Sequence, residues 1–320
     1  MRPLNVTVGI AISFSFCAVA YPQHLLHVKV FNPIVVRCFG LLDFRFGPTD
    51  SLDGPDQPLA MPTEFQDLGV DHLNYINQLL DLMEATSAKI SRCTCDFTRW
   101  DYDASIVSQR DPGNNRLFAH RIVKGQISYA APDKCRFESI ESWLFRNRKA
   151  EDPYVVQNEA DDRERWIFDG DKTFEFDFGS KRIYEHTIPT ESPKKRESNW
   201  IAPFLFGTTR QKVLDQYWLR IATPASVDGE IWLIAVPKLK SESQFISKIE
   251  IILAQETLFP KHFQLYAPGY NATTTAQSCV YEFGNPKTND QTGENADFTK
   301  RFDCPQLPVG WELVAPYSYE

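Results

Sequence analysis

Residues 164–186 read ERWIFDGDKTFEFDFGSKRIYEH. An apolar run ends at Asp169-Gly170. A second run alternates Phe174, Glu175, Phe176, Asp177 and Phe178, and Gly179-Ser180 turns the chain again before Ile183 and Tyr184. Side chains alternate with period two along a strand, so the three phenylalanines share one face. Three short runs joined by two turn signals describe an antiparallel ribbon. Its aromatic face either packs into a protein core or lines a space that something else enters.

The same rhythm continues on both sides of the ribbon. Period-two runs are predicted at 93–104, 117–130, 135–145, 163–169, 172–178 and 181–187, then at 216–223, 230–237, 245–254, 258–267 and 275–284, with 298–304 as a further candidate. Short turn signals such as Gly125, Asp228-Gly229 and Pro260 separate them. Regular strands with short turns mean an antiparallel meander, as a sandwich or a barrel. Composition agrees: 23 Phe and 12 Tyr favour strands, and 21 Pro and 15 Gly punctuate them.

Two segments break the rhythm. Val70, Leu73, Ile76, Leu79, Leu80 and Met83 recur at helical spacing with Asp71, Asn74, Asn77 and Asp81 between them, so an amphipathic helix precedes the strands. At 198–216, Trp200, Ile201, Phe204, Leu205 and Phe206 crowd around Pro203, and Thr208-Thr209 can cap a short helix through Leu214. The plan is one helix, half a sheet, a helical insert, then the other half: mainly β with some α, with the helices on the concave side.

The N-terminus reads as an export signal. Arg2 precedes an apolar run from Val6, which ends Ala18-Val19-Ala20, the pattern of a cleaved secretory leader over 1–20. Phe16 precedes Cys17 where a lipid-anchored protein needs a small residue. Residues 21–62 form an extension, apolar at first and then punctuated by Pro48, Pro55, Pro58 and Pro62; the compact domain is expected over 63–320. Cys38, Cys93, Cys95, Cys135, Cys279 and Cys304 then remain, an even number that permits disulfides but equally suits buried structural thiols.

Charge and motifs narrow the function classes. The formal net charge is −8, and the one compact basic cluster, Lys194-Lys195-Arg196, is flanked by Glu191 and Glu197, so nucleic acid is not an expected partner. The chain holds no G-x-S-x-G, no H-E-x-x-H, no phosphate loop and no zinc spacing. Asp161-Asp162, with Glu159 and Glu164, reads as exposed loop acid rather than a catalytic pair. No enzyme activity, metal or cofactor is expected. Asn271-Ala272-Thr273 matches a glycosylation acceptor that matters only in a eukaryotic host.

Several spaced motifs together resemble the LolA- and LolB-like periplasmic lipoprotein carriers, and uncharacterised exported planctomycete proteins with the same domain. They are Gly125-Gln126-Ile127-Ser128-Tyr129 with Pro132 and Arg136-Phe137-Glu138; the Asp169-Gly170 hairpin with Phe174 and Phe176; Pro203-Phe204-Leu205; Trp232 through Pro237-Lys238; and Pro308-Val309-Gly310-Trp311. The resemblance spans roughly 70–316. It implies an incomplete antiparallel barrel of about eleven strands whose oily hollow receives acyl chains beneath helical lids. On that reading Trp166, Phe174, Phe176 and Trp232 are walls, with Ile127, Tyr129 and Phe137; Leu73, Ile76, Leu80, Phe204, Leu205 and Phe206 belong to the lids. The partners implied are lipid or lipoprotein acyl chains and a membrane-bound donor or acceptor, with the protein a periplasmic monomer. A non-catalytic sensor that binds other proteins is the alternative on the same fold. The carriers place a basic lid-holding residue before the proline of the first motif; here that position is Ala131, with Lys134 displaced nearby.

Overall fold

The fold is taken from a computed structural model that describes residues 57–108, 110, 117–146, 152–157, 163–187, 209–270, 277–289, 298–303 and 305–314. The leader, most of the extension, Trp200 through Phe206 and Asn271 lie outside the described residues. Helix α1 spans Val70–Ser87 and helix α2 spans Arg210–Gln216. Thr209 starts α2 by accepting a bond from the Lys212 amide, as an N-cap threonine does.

Strands β1 (Arg92–Tyr102), β2 (Arg121–Ala130), β3 (Lys134–Phe145), β4 (Tyr154–Gln157), β5 (Glu164–Phe168), β6 (Lys172–Asp177) and β7 (Arg182–Thr187) precede α2. After α2 come β8 (Tyr217–Ile221), β9 (Glu230–Pro237), β10 (Lys248–Ala254), β11 (Pro260–Tyr266), β12 (Ser278–Phe283), β13 (Lys287–Thr288) and β14 (Glu312–Val314). All belong to one sheet whose main path runs β14-β7-β6-β5-β3-β2-β1-β12-β11-β10-β9-β8, with β13 paired to β1 and β4 to β3. The two halves of the meander meet where β1 pairs with β12. This is an open, curled sheet, an incomplete barrel in a mainly β fold.

Three details differ from the sequence reading. The sheet has fourteen strands, because the short β4, β13 and β14 were too brief to show periodicity. Residues 298–302 turn helically instead of adding a strand, and the added strand is β14. Finally, β14 runs parallel to β7, so the sheet is not antiparallel throughout.

The inner face is the one α1 and α2 cover. Ile76, Leu79 and Leu80 of α1 and Val213 of α2 join one buried cluster with side chains from β1, β2, β3, β5 and β8 to β12. The curl is visible in the rings: Phe97 on β1 stacks on Phe137 on β3 at 4.8 Å between centroids, although β2 lies between them. Gly125, opposite Phe97 on β2, makes this possible by having no side chain to intervene. At the same place β3 carries one extra residue. Lys124 pairs with Glu141 and Gly125 with Ser139, so Ile140 is bulged out and 62% exposed. A bulge of this kind sharpens bending and twist.

Candidate functional site

Cross-strand partners share a face, so the pairing register decides which side chains reach the inner face. Phe137 pairs with Trp166, and Trp166 pairs with Glu175. Phe137, Trp166 and Glu175 therefore face inward. Phe174 pairs with Ile167, and Phe176 with Arg165 and Ile183, on the opposite face.

The aromatic face of the ribbon is thus the outer face, which corrects the assignment of Phe174 and Phe176 as cavity walls. They form a separate buried cluster with Ile167 and Ile183, packed by Phe178 and Trp311. Trp311 meets Phe178 edge-on at 5.3 Å, and the Arg165 guanidinium lies 5.2 Å over Phe176. The motif around Gly310-Trp311 docks beside β14 and covers the ribbon from outside. Trp232 is also removed from the walls. It alternates with the buried Ile231 and Leu233, pairs with Ile252, and donates its indole N–H to Glu230 at 2.9 Å on the outer side.

Ile76, Leu80, Ile127, Tyr129, Phe137 and Trp166 do come together in the inner cluster. Leu73 does not: it is 46% exposed. Phe204, Leu205 and Phe206 lie outside the described residues. Inner-face residues beyond the predicted set include Phe97, Leu219, Leu233, Phe263, Leu265 and Tyr281, each marked in sequence only by the alternation of its strand.

One part of the inner face is charged. Arg99, 1% exposed, makes two 2.8 Å bonds to the Glu164 carboxylate and an ion pair with Asp101. Arg121 shares the same carboxylate at 2.6 Å. Glu164 stands on β5 and Arg99 on β1, with β3 and β2 between them in the sheet. The pair can close only across a strongly curved surface, so it braces the curl. Burial pushes the Glu164 carboxyl up, but Arg99 and Arg121 outweigh it and hold it below the usual carboxylate range. Glu164 is therefore not the loop acid the sequence implied; Glu159, Asp161 and Asp162 lie outside the described residues.

The helices are held to the sheet by a few polar contacts. Arg210 donates its amide to Glu84 at 2.8 Å and its guanidinium to Asp81 at 3.1 Å, which joins α2 to α1. Lys238 caps the other end of α2: its ammonium donates to the Leu214 carbonyl and its amide to the Gln216 carbonyl at 2.8 Å. Burial lowers the Lys238 pKa, against a smaller opposing pull from Asp215. This gives Pro237-Lys238 a physical role, and Ala131 is exposed. At the start of α1, the Ile221 amide of edge strand β8 donates to His72 Nε2 at 3.1 Å.

Cys93, Cys95 and Cys279 are buried free thiols, as the structural reading has them; Cys38 and Cys304 are not described. Burial pushes the Cys93 thiol up to about 12, with Cys95 and Cys135 adding to it, so it is not a poised nucleophile. Among the described residues no group of three or more His, Cys, Asp or Glu gathers to hold a metal. No described helix is long and apolar enough to cross a membrane.

No known family model matches the chain, and no curated protein matches it. Solved structures similar in shape include an uncharacterized conserved protein from Thermus thermophilus, at 7% identity and TM-score 0.42, covering 76% of this chain and 99% of that one. A LolA superfamily protein from Nitrosomonas europaea matches at 9% identity and TM-score 0.30, over 69% of this chain and 98% of its own. A chain of the Pseudomonas aeruginosa MucA/MucB complex matches at 12% identity and TM-score 0.32, over 70% of this chain and 62% of its own.

Proposed function

We propose that this protein is a non-catalytic, periplasmic binding protein that shelters an acyl chain between the inner face of its half-barrel and helix α1. The observation that carries the reading is the thinness of the cover. A continuous apolar face drawn from nine strands is roofed by α1 through three buried side chains, Ile76, Leu79 and Leu80. Burying a large aliphatic side chain is worth about 1.5–3 kcal/mol, so lifting these three costs roughly 5–9 kcal/mol. A chain of about sixteen carbons entering in their place gains roughly 13 kcal/mol at about 0.8 kcal/mol per CH₂, and ordering the chain subtracts from that. The two terms are of similar size, which suits a cargo that must be taken up and also given back. A membrane-bound donor or acceptor would supply the exchange, and no cofactor takes part.

A second reading has its own support. Ile140, Val155 and Val156 are exposed where β3 meets β4, as a protein-binding module would need. The test is to extract the purified chain with organic solvent, identify bound lipid by mass spectrometry, and titrate the delipidated protein with a fluorescent fatty acid. Stoichiometric lipid, or saturable one-to-one binding, is expected. Lipid-free protein that also ignores the fluorescent fatty acid overturns the acyl-chain reading and leaves the protein-binding one.

A further inference from the structure

We infer that His72 is a proton-sensitive latch that holds helix α1 on the edge of the sheet; the inference rests on the reading of α1 as a lid. His72 occupies the first turn of α1, on the same side as the buried Ile76, Leu79 and Leu80, where the apolar pattern of the helix is interrupted. Val70 and Leu73 turn outward to solvent instead. The reason for a polar residue there lies on β8. As the edge strand among the described residues, β8 has one row of amides that no described strand satisfies. Ala222 donates to Trp232 of β9, so its neighbour Ile221 points its amide the other way, and His72 Nε2 accepts it at 3.1 Å.

The bond works in one protonation state only. A neutral imidazole has a lone pair on one ring nitrogen; an imidazolium donates from both and accepts from neither. Protonating His72 removes the acceptor and sets two N–H groups against each other across the same gap. Closure of α1 through this contact and proton uptake by His72 therefore exclude one another. Histidine is the side chain that changes charge between pH 5 and 8.

Several charged groups stand on the elements around α1. Helix α1 packs against β8 and, near Asp81 and Glu84, against α2; the helical turn Thr63–Phe65 packs against β8. Arg220 on β8 pairs with Ile234 and points to the outer face. On α2, Arg210 is engaged by Asp81 and Glu84, while Lys212 and Asp215 are the remaining charges. Glu64 in the turn, Asp67 after it and Asp71 beside His72 are exposed. A lid that loosens in mild acid gives the carrier a release signal separate from its cargo.

The experiment follows hydrogen exchange at the Ile221 amide in the full chain at pH 7.5 and 5.5, with rates normalised to those of an unstructured chain. Wild type is expected to lose protection at least tenfold at the lower pH. His72→Gln, whose side-chain carbonyl accepts without titrating, is expected to stay protected at both, and His72→Ala to be unprotected at both while keeping its far-ultraviolet circular dichroism. Equal protection of wild type at the two pH values, or a His72→Gln variant that follows wild type, overturns the latch. A parallel titration with a fluorescent fatty acid separates the two claims. Acid-dependent exchange without fatty-acid binding keeps the latch and removes the cargo; binding with flat exchange does the reverse.

Discussion

Gly125→Ala tests the account of the curl. An alanine Cβ at this position would stand 2.3 Å from the Glu138 carbonyl oxygen and 2.5 Å from Phe97 Cζ. Neither neighbour can yield freely. The Glu138 carbonyl belongs to the β2–β3 ladder beside the bulge, and the Phe97 ring is wedged between Phe137 at 4.8 Å and Tyr281 at 5.7 Å. Overpacking a well-filled site costs about 1–3 kcal/mol and occasionally more, and two simultaneous clashes place this one near 3 kcal/mol. With a urea slope of about 3 kcal/mol per molar for a domain of this size, the unfolding midpoint drops by about 1 M. Phe97→Leu removes one clash and leaves the backbone one. In that background Gly125→Ala therefore costs less than it does in wild type, with a coupling of about 1 kcal/mol. A Gly125→Ala protein within about 0.5 kcal/mol of wild type, the range of ordinary surface substitutions, would refute the claim that this glycine lets the rings meet across β2.

Glu164→Ala removes two bonds from the buried Arg99, which keeps only Asp101 of its two carboxylates, and is expected to cost about 3 kcal/mol by chemical denaturation, as broken buried ion pairs do. The same carboxylate sets an acid limb. Its folded pKa lies below the unfolded value, so its contribution is present above the ordinary glutamate range and is lost as pH falls through the folded value. Stability measured from pH 6 to 3 should therefore fall less steeply in Glu164→Gln than in wild type. Trp311→Ala uncovers Phe176 and Phe178 on the outer face and is expected to cost about 2–3 kcal/mol, read as a lower thermal midpoint, without changing fatty-acid binding. Arg210→Ala cuts the side-chain tie between α2 and α1. With both partners partly exposed, it is expected to cost about 1 kcal/mol or less while visibly speeding amide exchange in α1.

How much of this was legible depended on whether a pattern carried its own direction. Helix α1 was readable because Ile76, Leu79 and Leu80 recur at helical spacing. Even so, the outermost members of that stripe, Val70 and Leu73, face solvent, and His72 takes the inward place because the β8 edge needs an acceptor. The start of α2 was readable from Thr209, whose side chain caps locally. Arg99 and Glu164 were not, since 65 residues separate them and their pairing exists only once four strands curl together.

The amino-acid order by itself determined the longer strands, their turns and the helices α1 and α2, because backbone geometry imposes periods of 2 and 3.6 on any chain that buries one side. It could not say which side of a strand faces in. Between Glu164 and Ile183 both sides are apolar: Trp166 points one way, and Ile167, Phe174 and Phe176 the other. A period of two marks two faces without labelling them. The label came from register, which neighbouring strands and the extra residue at Ile140 decide, and a shift of one residue exchanges every side chain between core and surface.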